Sequence, residues 1–158
     1  SGWKYSTPLL DPFCGSGTLA IEAAMIARNI APGLYRHFRI EELPNYKRTL
    51  LQEVRDEAEK RIYPSGKYQI VGSDMDASMV AIAERNAERA GVREDITFSV
   101  SDFLATSHSE PAATIVTNPP YGNRLQNTEL ERIYQKLTNT IEKNGGGYIT
   151  SYEFKHTK

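Results

Sequence analysis

The 158-residue sequence predicts an α/β protein built on a doubly wound, mostly parallel sheet, and three observations point there. Short apolar segments alternate with amphipathic helical stretches, the pattern of consecutive strand–helix–strand units. A glycine-rich turn, DPFCGSG at residues 11–17, joins the first strand to the first helix. Acidic or amide residues recur at the carboxyl ends of successive strands, the edge where open α/β sheets bind ligands. Hydrophobic residues make up 39% and charged residues 25%, so neither disorder nor a coiled coil is expected. No apolar run reaches the roughly 18–20 residues of a membrane helix, and no basic-then-apolar leader opens the chain, so the sequence reads as soluble and cytoplasmic. Cys14 stands alone, which excludes an internal disulfide and a multi-cysteine zinc site. His37, His108 and His156 lack metal-ligand spacing, and no metal is expected.

The elements follow in order. Residues 8–10 end a short apolar strand that runs into the glycine-rich turn. A helix is predicted over 18–29, with Leu19, Ala23, Ile26, Ala27 and Ile30 on one face and Pro32-Gly33 as its stop. Residues 34–67 form an insertion holding one charged amphipathic helix over 47–62, striped by Leu51, Val54, Ala58 and Ile62. The second strand is YQIVG at 68–72, and Asp76 caps a helix over 77–90 that Gly91 closes. The third and fourth strands cover 96–100 and 114–117. Thr128 and Glu131 have capping-box spacing, and the helix behind them carries Leu130, Ile133, Tyr134, Leu137 and Ile141. Glycines at 145–147 lead to a fifth strand over 148–152. The chain opens almost on its first strand and stops just after its fifth. It therefore reads as part of a longer protein, with the further C-terminal strands of such a sheet lying outside it.

Charge is nearly balanced overall, at −1, which argues against a protein that coats nucleic acid through bulk charge. From 28 to 67, nine Lys/Arg stand against six Asp/Glu, a balance of +3 that leaves −4 elsewhere. That segment is either a solvated helix face or a phosphate-contacting surface.

The turn at 11–17 is suited to bringing backbone close to a ligand. Gly15 and Gly17 carry no Cβ, and the helix start offers unpaired N–H groups. Gly15-Ser16-Gly17-Thr18-Leu19-Ala20 fits the loose dinucleotide pattern G-x-G-x-x-G/A, while no Gly-Lys-Ser/Thr follows to make a triphosphate loop. Asp11 discriminates further: a carboxylate there repels a pyrophosphate and attracts a cationic amino-acid tail, such as that of S-adenosylmethionine. A turn-forming Asp-Pro is the alternative. Asp74 ends the second strand, where an acid can accept hydrogen bonds from both ribose hydroxyls of an adenosyl group, with Met75 against the adenine. Asp102 repeats the placement after the third strand and could receive the adenine amine, with Phe103 packing beside it. Each acid alone could serve as a cap or turn residue; three at successive strand ends point to a ligand. Cys14 reads as a small packing residue.

Asn118-Pro119-Pro120-Tyr121 closes the fourth strand. Two prolines lock the backbone and leave the Pro119 carbonyl without a strand partner, beside the amide oxygen of Asn118. Together they can accept two hydrogen bonds from one planar NH2 group, and Tyr121 offers a ring for the base that carries it.

DPFCGSG followed by NPPYG resembles the class I S-adenosylmethionine-dependent amino-methyltransferases, and LLDPFCGSGTLAIEAAMIARNIAPG resembles the THUMP-associated RNA methylase family among them. That family includes the 23S rRNA guanine-N2 methyltransferases. The resemblance covers nearly the whole chain and implies a Rossmann-like class I methyltransferase domain over residues 1–158. It implies S-adenosyl-L-methionine as cofactor, held by Asp11, Gly15, Gly17, Asp74 and Asp102 with Phe13, Met75 and Phe103 beside them. It implies Asn118, Pro119, Pro120 and Tyr121 as the residues that hold the target amine, and RNA as partner through domains absent here, since no THUMP domain is present. Competing readings are a protein-glutamine methyltransferase, a DNA adenine-N6 methyltransferase, a catalytically silent cofactor-binding module and, last, an NAD dehydrogenase.

Overall fold

The computed structural model describes residues 3–66, 68–107, 112–121, 127–144 and 147–149. Its elements are β1 (Leu9–Asp11), α1 (Thr18–Ala27), a 3₁₀ turn (Arg39–Glu42), α2 (Arg48–Lys60), β2 (Ile70–Asp74), α3 (Ala77–Arg89), a second 3₁₀ turn (Arg93–Asp95), β3 (Ile96–Val100), β4 (Thr114–Thr117), α4 (Asn127–Asn144) and β5 (Gly147–Ile149). The five strands form one sheet in the order β3-β2-β1-β4-β5, and every pairing is parallel. The predicted parallel α/β architecture is the one observed. Chain order runs outward from β1 through β2 to β3, then returns to the other side of β1 for β4. The crevice beside β1 is thus the switch point at which sheets of this class bind ligands.

Successive residues of β1 face opposite layers, as strand geometry requires. Leu9 joins Ile70 and Ile96 beneath α1 and α3, with Ala20, Ile21, Ala24 and Ala87. Leu10 joins Ile115, Phe103, Ile133 and Leu137 beneath α4. Among the described residues no helix is long and apolar enough to cross a membrane.

The predicted strands over 96–100 and 114–117 coincide with β3 and β4. The α3 boundaries follow their local signals. The Asp76 carboxylate accepts from the Ser78 N–H at 2.8 Å and from its hydroxyl at 2.6 Å, and these bonds hold its pKa below the ordinary value. At the far end the Gly91 and Val92 N–H groups return to Glu88 and Ala87 with Gly91 at φ +70°, a Schellman stop.

Four expectations need correction. Of the face predicted for α1, Ala27 and Ile30 are buried and Ala23 packs against the core, but Ile26 is 61% exposed, and the buried face also takes in Ala20, Ile21 and Ala24. The helix is apolar nearly all round, so periodicity did not single out a face. Its stop is Asn29 in the left-handed region at φ +56°, with Ile30 N–H bonded to the Met25 carbonyl at 2.8 Å, ahead of Pro32-Gly33. Val54 of α2 is exposed; only Ala58 and Ile62 of its stripe pack against the core. Thr128 lies inside α4, which begins at Asn127, so it is not the N-cap that a capping box needs. β5 spans Gly147–Ile149; the predicted residues 145–146 and 150–152, together with Lys67, His108, Gly122 and His156, lie outside the described residues.

Candidate active site

The carboxyl ends of β1, β2, β3 and β4 open into one cleft of about 730 Å³. Of the predicted site residues, Asp11, Phe13, Gly15, Asp74, Met75, Asp102, Phe103 and the whole Asn118–Tyr121 stretch line it. Gly17 does not. It is the N-cap of α1 at φ +85°, and a Cβ built on it falls 2.9 Å from the Ala83 Cβ of α3. Its missing side chain lets two helices approach, so a packing role stands beside the cofactor contact expected of it.

Asp11 ends the central strand and is 1% exposed. Its Oδ1 accepts the Thr117 hydroxyl at 2.7 Å and, more weakly, the Phe13 N–H at 3.4 Å. Its Oδ2 is buried and has no hydrogen-bond partner among the described residues. Burial pushes the carboxyl from 3.8 up to about 6, against the Thr117 and Phe13 bonds, while the Asp74 charge adds to the rise. A buried acceptor left without a donor costs about 1–3 kcal/mol. An ammonium supplied by a ligand would relieve both the missing bond and the unbalanced charge, and the amino-acid tail of S-adenosylmethionine carries one. A pyrophosphate would aggravate both. The donor set therefore fits the expected cofactor.

Asp74 ties the loop to the second strand: its Oδ2 accepts the Gly15 N–H at 2.9 Å and its Oδ1 the Asp76 N–H at 3.0 Å. Each oxygen keeps a second lone pair for a ligand hydroxyl. Asn86 of α3 also braces the loop, donating to the Ser16 carbonyl at 3.0 Å. Asp102 accepts the Leu104 N–H at 2.8 Å and so closes the turn that presents Phe103. The Phe103 ring lies 4.9 Å from that of Phe13, making an apolar floor between the first loop and the third strand. Cys14 is buried, and burial first, then the charges of Asp11 and Asp74, push its thiol up to about 12. It stays protonated and is a packing residue, not a nucleophile.

On the opposite wall, Pro119 is fully buried while Asn118 is exposed, and Tyr121 is 66% exposed at the rim. Pro120 is held from behind by the Tyr134 hydroxyl, which donates to its carbonyl at 3.4 Å. A buried Pro119 and a half-buried Pro120, flanked by one exposed amide and one exposed ring, bring an acceptor and a stacking face to the same cleft.

Sequence reasoning missed Thr117 and Glu129. Thr117 reaches Asp11 across 106 residues only because β4 pairs with β1, so no local signal marks it beyond its place before the Asn-Pro-Pro. Glu129 lines the cleft from the first turn of α4, where an acid has an ordinary helical explanation. Among the described residues no group of three or more His, Cys, Asp or Glu is arranged to hold a metal ion.

Known proteins resemble this chain in sequence and in fold. Ribosomal RNA large subunit methyltransferase K/L of Shewanella baltica is 45% identical over 154 residues, which cover 94% of this chain and 22% of that protein. Its namesake in Shewanella frigidimarina is 44% identical over the same coverage. The chain thus spans about a fifth of the length of the curated relatives it matches. Among solved structures, SMU.472 in complex with SAH superposes with a TM-score of 0.83 at 34% identity, over 94% of this chain and 40% of that one. A protein described as a predicted N6-adenine-specific DNA methylase, from Listeria monocytogenes, gives 0.84 at 34% identity, over 97% and 41%. The family described as RMKL-like, methyltransferase domain, matches residues 1–155, and the chain belongs to that family.

Proposed function

We propose that this domain transfers the methyl group of S-adenosylmethionine to an exocyclic amine of an RNA base, guanine N2 of 23S ribosomal RNA. The observation that carries the reading is one cleft with two unlike walls: the unpartnered buried oxygen of Asp11 on one side, and the exposed Asn118 and Tyr121 on the other. The names of the ribosomal RNA relatives favour ribosomal RNA as substrate and hence the cytoplasm as the place of action. Residues 1–158 are read as one methyltransferase domain of a longer protein, with 34–67 as a helical insertion.

When bound, S-adenosylmethionine supplies a methyl group on a positively charged sulfur. Asp11 would hold its ammonium, Asp74 its ribose hydroxyls, and Asp102 with Met75, Phe13 and Phe103 its adenine. Asn118 and the Pro119 carbonyl accept the two N–H bonds of the target amine and orient its lone pair. These two acceptors also favour the more tetrahedral nitrogen of the transition state. Tyr121 stacks on the base and carries it to the opening.

The insertion is the candidate RNA-facing surface. Arg28, Arg55 and Arg61 are engaged internally, with Asp95, Glu41 and Glu57. Arg36, Arg39, Lys47, Arg48 and Lys60 are exposed and form no ion pair among the described residues. Replacing Arg39, Lys47 and Arg48 by Glu is expected to weaken RNA binding and flatten its salt dependence.

The deciding experiment is mass spectrometry of nucleosides after the full-length protein has acted on ribosomal RNA that lacks the modification. N2-methylguanine is the expected product. N6-methyladenine in DNA, the activity predicted in the name of the Listeria neighbour, would keep the chemistry and change the base. Methylation at a ring carbon or a ribose oxygen would overturn the assignment to an amine.

A further inference from the structure

Lys136, on α4, contributes to none of the contacts above, yet its ammonium is fully engaged next to the cleft. Its Nζ donates to three main-chain carbonyls, Phe103 at 2.6 Å, Leu104 at 2.9 Å and Thr106 at 2.7 Å. These bonds use all three ammonium protons. The same nitrogen lies 5.2 Å from the centre of the Phe103 ring, and it makes no ion pair among the described residues. Three carbonyl oxygens aimed at one point repel one another unless a cation occupies that point. The turn that holds them is the one that Asp102 closes and that places Phe103 under the cleft. Two residues earlier on the same helix, Tyr134 holds the Pro120 carbonyl of the opposite wall.

We infer that Lys136 is a positioning residue: by gathering the carbonyls of the 103–106 turn it sets the wall formed by Asp102 and Phe103, and with it the selectivity for adenine in the cofactor. The inference rests on the proposed cofactor reading, and two measurements on the full-length protein separate their failures. Without ligand, K136M removes the cation but keeps the aliphatic stem. Amide exchange at Leu104, Ala105 and Thr106 should then quicken about tenfold or more while the Ile133–Leu137 region of α4 stays protected. With ligand, K136M should raise the dissociation constant of S-adenosylhomocysteine about tenfold, leave its inosine counterpart nearly unchanged, and raise KM for the cofactor far more than it lowers kcat. K136R, whose planar fork cannot aim three donors at one point, should fall between wild type and K136M, and it serves in place of K136M should that variant not fold. Unchanged exchange in the turn, or equal loss of both ligands, overturns the inference. A wild-type protein that binds neither ligand overturns the cofactor reading, and the exchange result still decides whether Lys136 holds the turn.

Discussion

Asp11 shows how a single carboxylate can work against the fold and for the ligand. Its pKa is about 6 in the folded chain against 3.8 in the ordinary state, so folding disfavours the ionised form. The sign follows: for this group stability is highest below about pH 4, falls as pH rises to about 6, and stays low above, by roughly 3 kcal/mol in all. A bound ammonium pulls the pKa back down. Cofactor affinity should therefore rise between about pH 5 and 7 and then level, and Asp11→Asn should weaken binding and abolish that dependence. Calorimetric titration with S-adenosylhomocysteine across this range checks it; an affinity that ignores pH would sink the idea. Asp74→Ala should weaken the cofactor by about 1.5–3 kcal/mol, the range for hydrogen bonds to a charged group. On the acceptor side, Asn118→Ala should lower kcat far more than cofactor affinity, because its contact tightens in the transition state. Tyr121→Ala should lose about 1–3 kcal/mol of stacking with RNA, and Tyr121→Phe should keep most of the activity.

At the scale of elements, two glycines with left-handed backbone make a controlled comparison. Gly91 closes α3 at φ +70° with open space where a Cβ would go, whereas Gly17 starts α1 at φ +85° with Ala83 only 2.9 Å from that position. Gly91→Ala should cost only the conformational penalty, about 1–2 kcal/mol. Gly17→Ala should cost that plus about 1–3 kcal/mol of overpacking. Adding Ala83→Gly removes the tightest of these contacts, leaving the Ala83 Cα and Ile21 Cδ1 at 3.2 Å, and should recover part of the steric cost, so urea unfolding of the double-mutant cycle should give a favourable coupling of about 1 kcal/mol. Simple additivity would mean that the helices part freely and that Gly17 does not set their approach.

Across the whole molecule, Arg28 joins pieces distant in sequence. It follows α1 and donates to the Tyr63 carbonyl at 3.1 Å, the Gly91 carbonyl at 2.7 Å and Asp95 at 3.2 Å. Asp95, whose side chain is wholly buried, also accepts the Gly66 N–H at 2.9 Å. One ion pair thus fastens the returning end of the insertion to the first helix and to the approach to β3. Arg28→Met leaves a buried charge unpaired and should cost about 3–5 kcal/mol in urea unfolding. Exchange protection should be lost first at residues 63–66; uniform loss across the sheet would contradict this division of labour.

Much was legible wherever the cause is local. β3 and β4 lie where short apolar runs meet polar punctuation, and Asp76 and Gly91 bound α3 because a cap and a left-handed stop act within a few residues. The two cleft motifs were legible for the same reason, being a glycine turn and a proline-locked strand end. Other features depend on residues that meet only after folding. Periodicity alone did not separate exposed Ile26 from buried Ile21, because alanine and isoleucine surround α1 and packing against the sheet decides between them. The Thr117–Asp11 bond waits on β4 crossing back to β1, and the raised pKa of Asp11 on the exclusion of water that follows. Lys136 carries no local signal, because its three carbonyl partners lie in a turn some thirty residues earlier in the chain. Short-range sterics and hydrogen bonding write themselves into neighbouring residues, whereas burial, charge and pairing across the sheet belong to residues far apart in the chain.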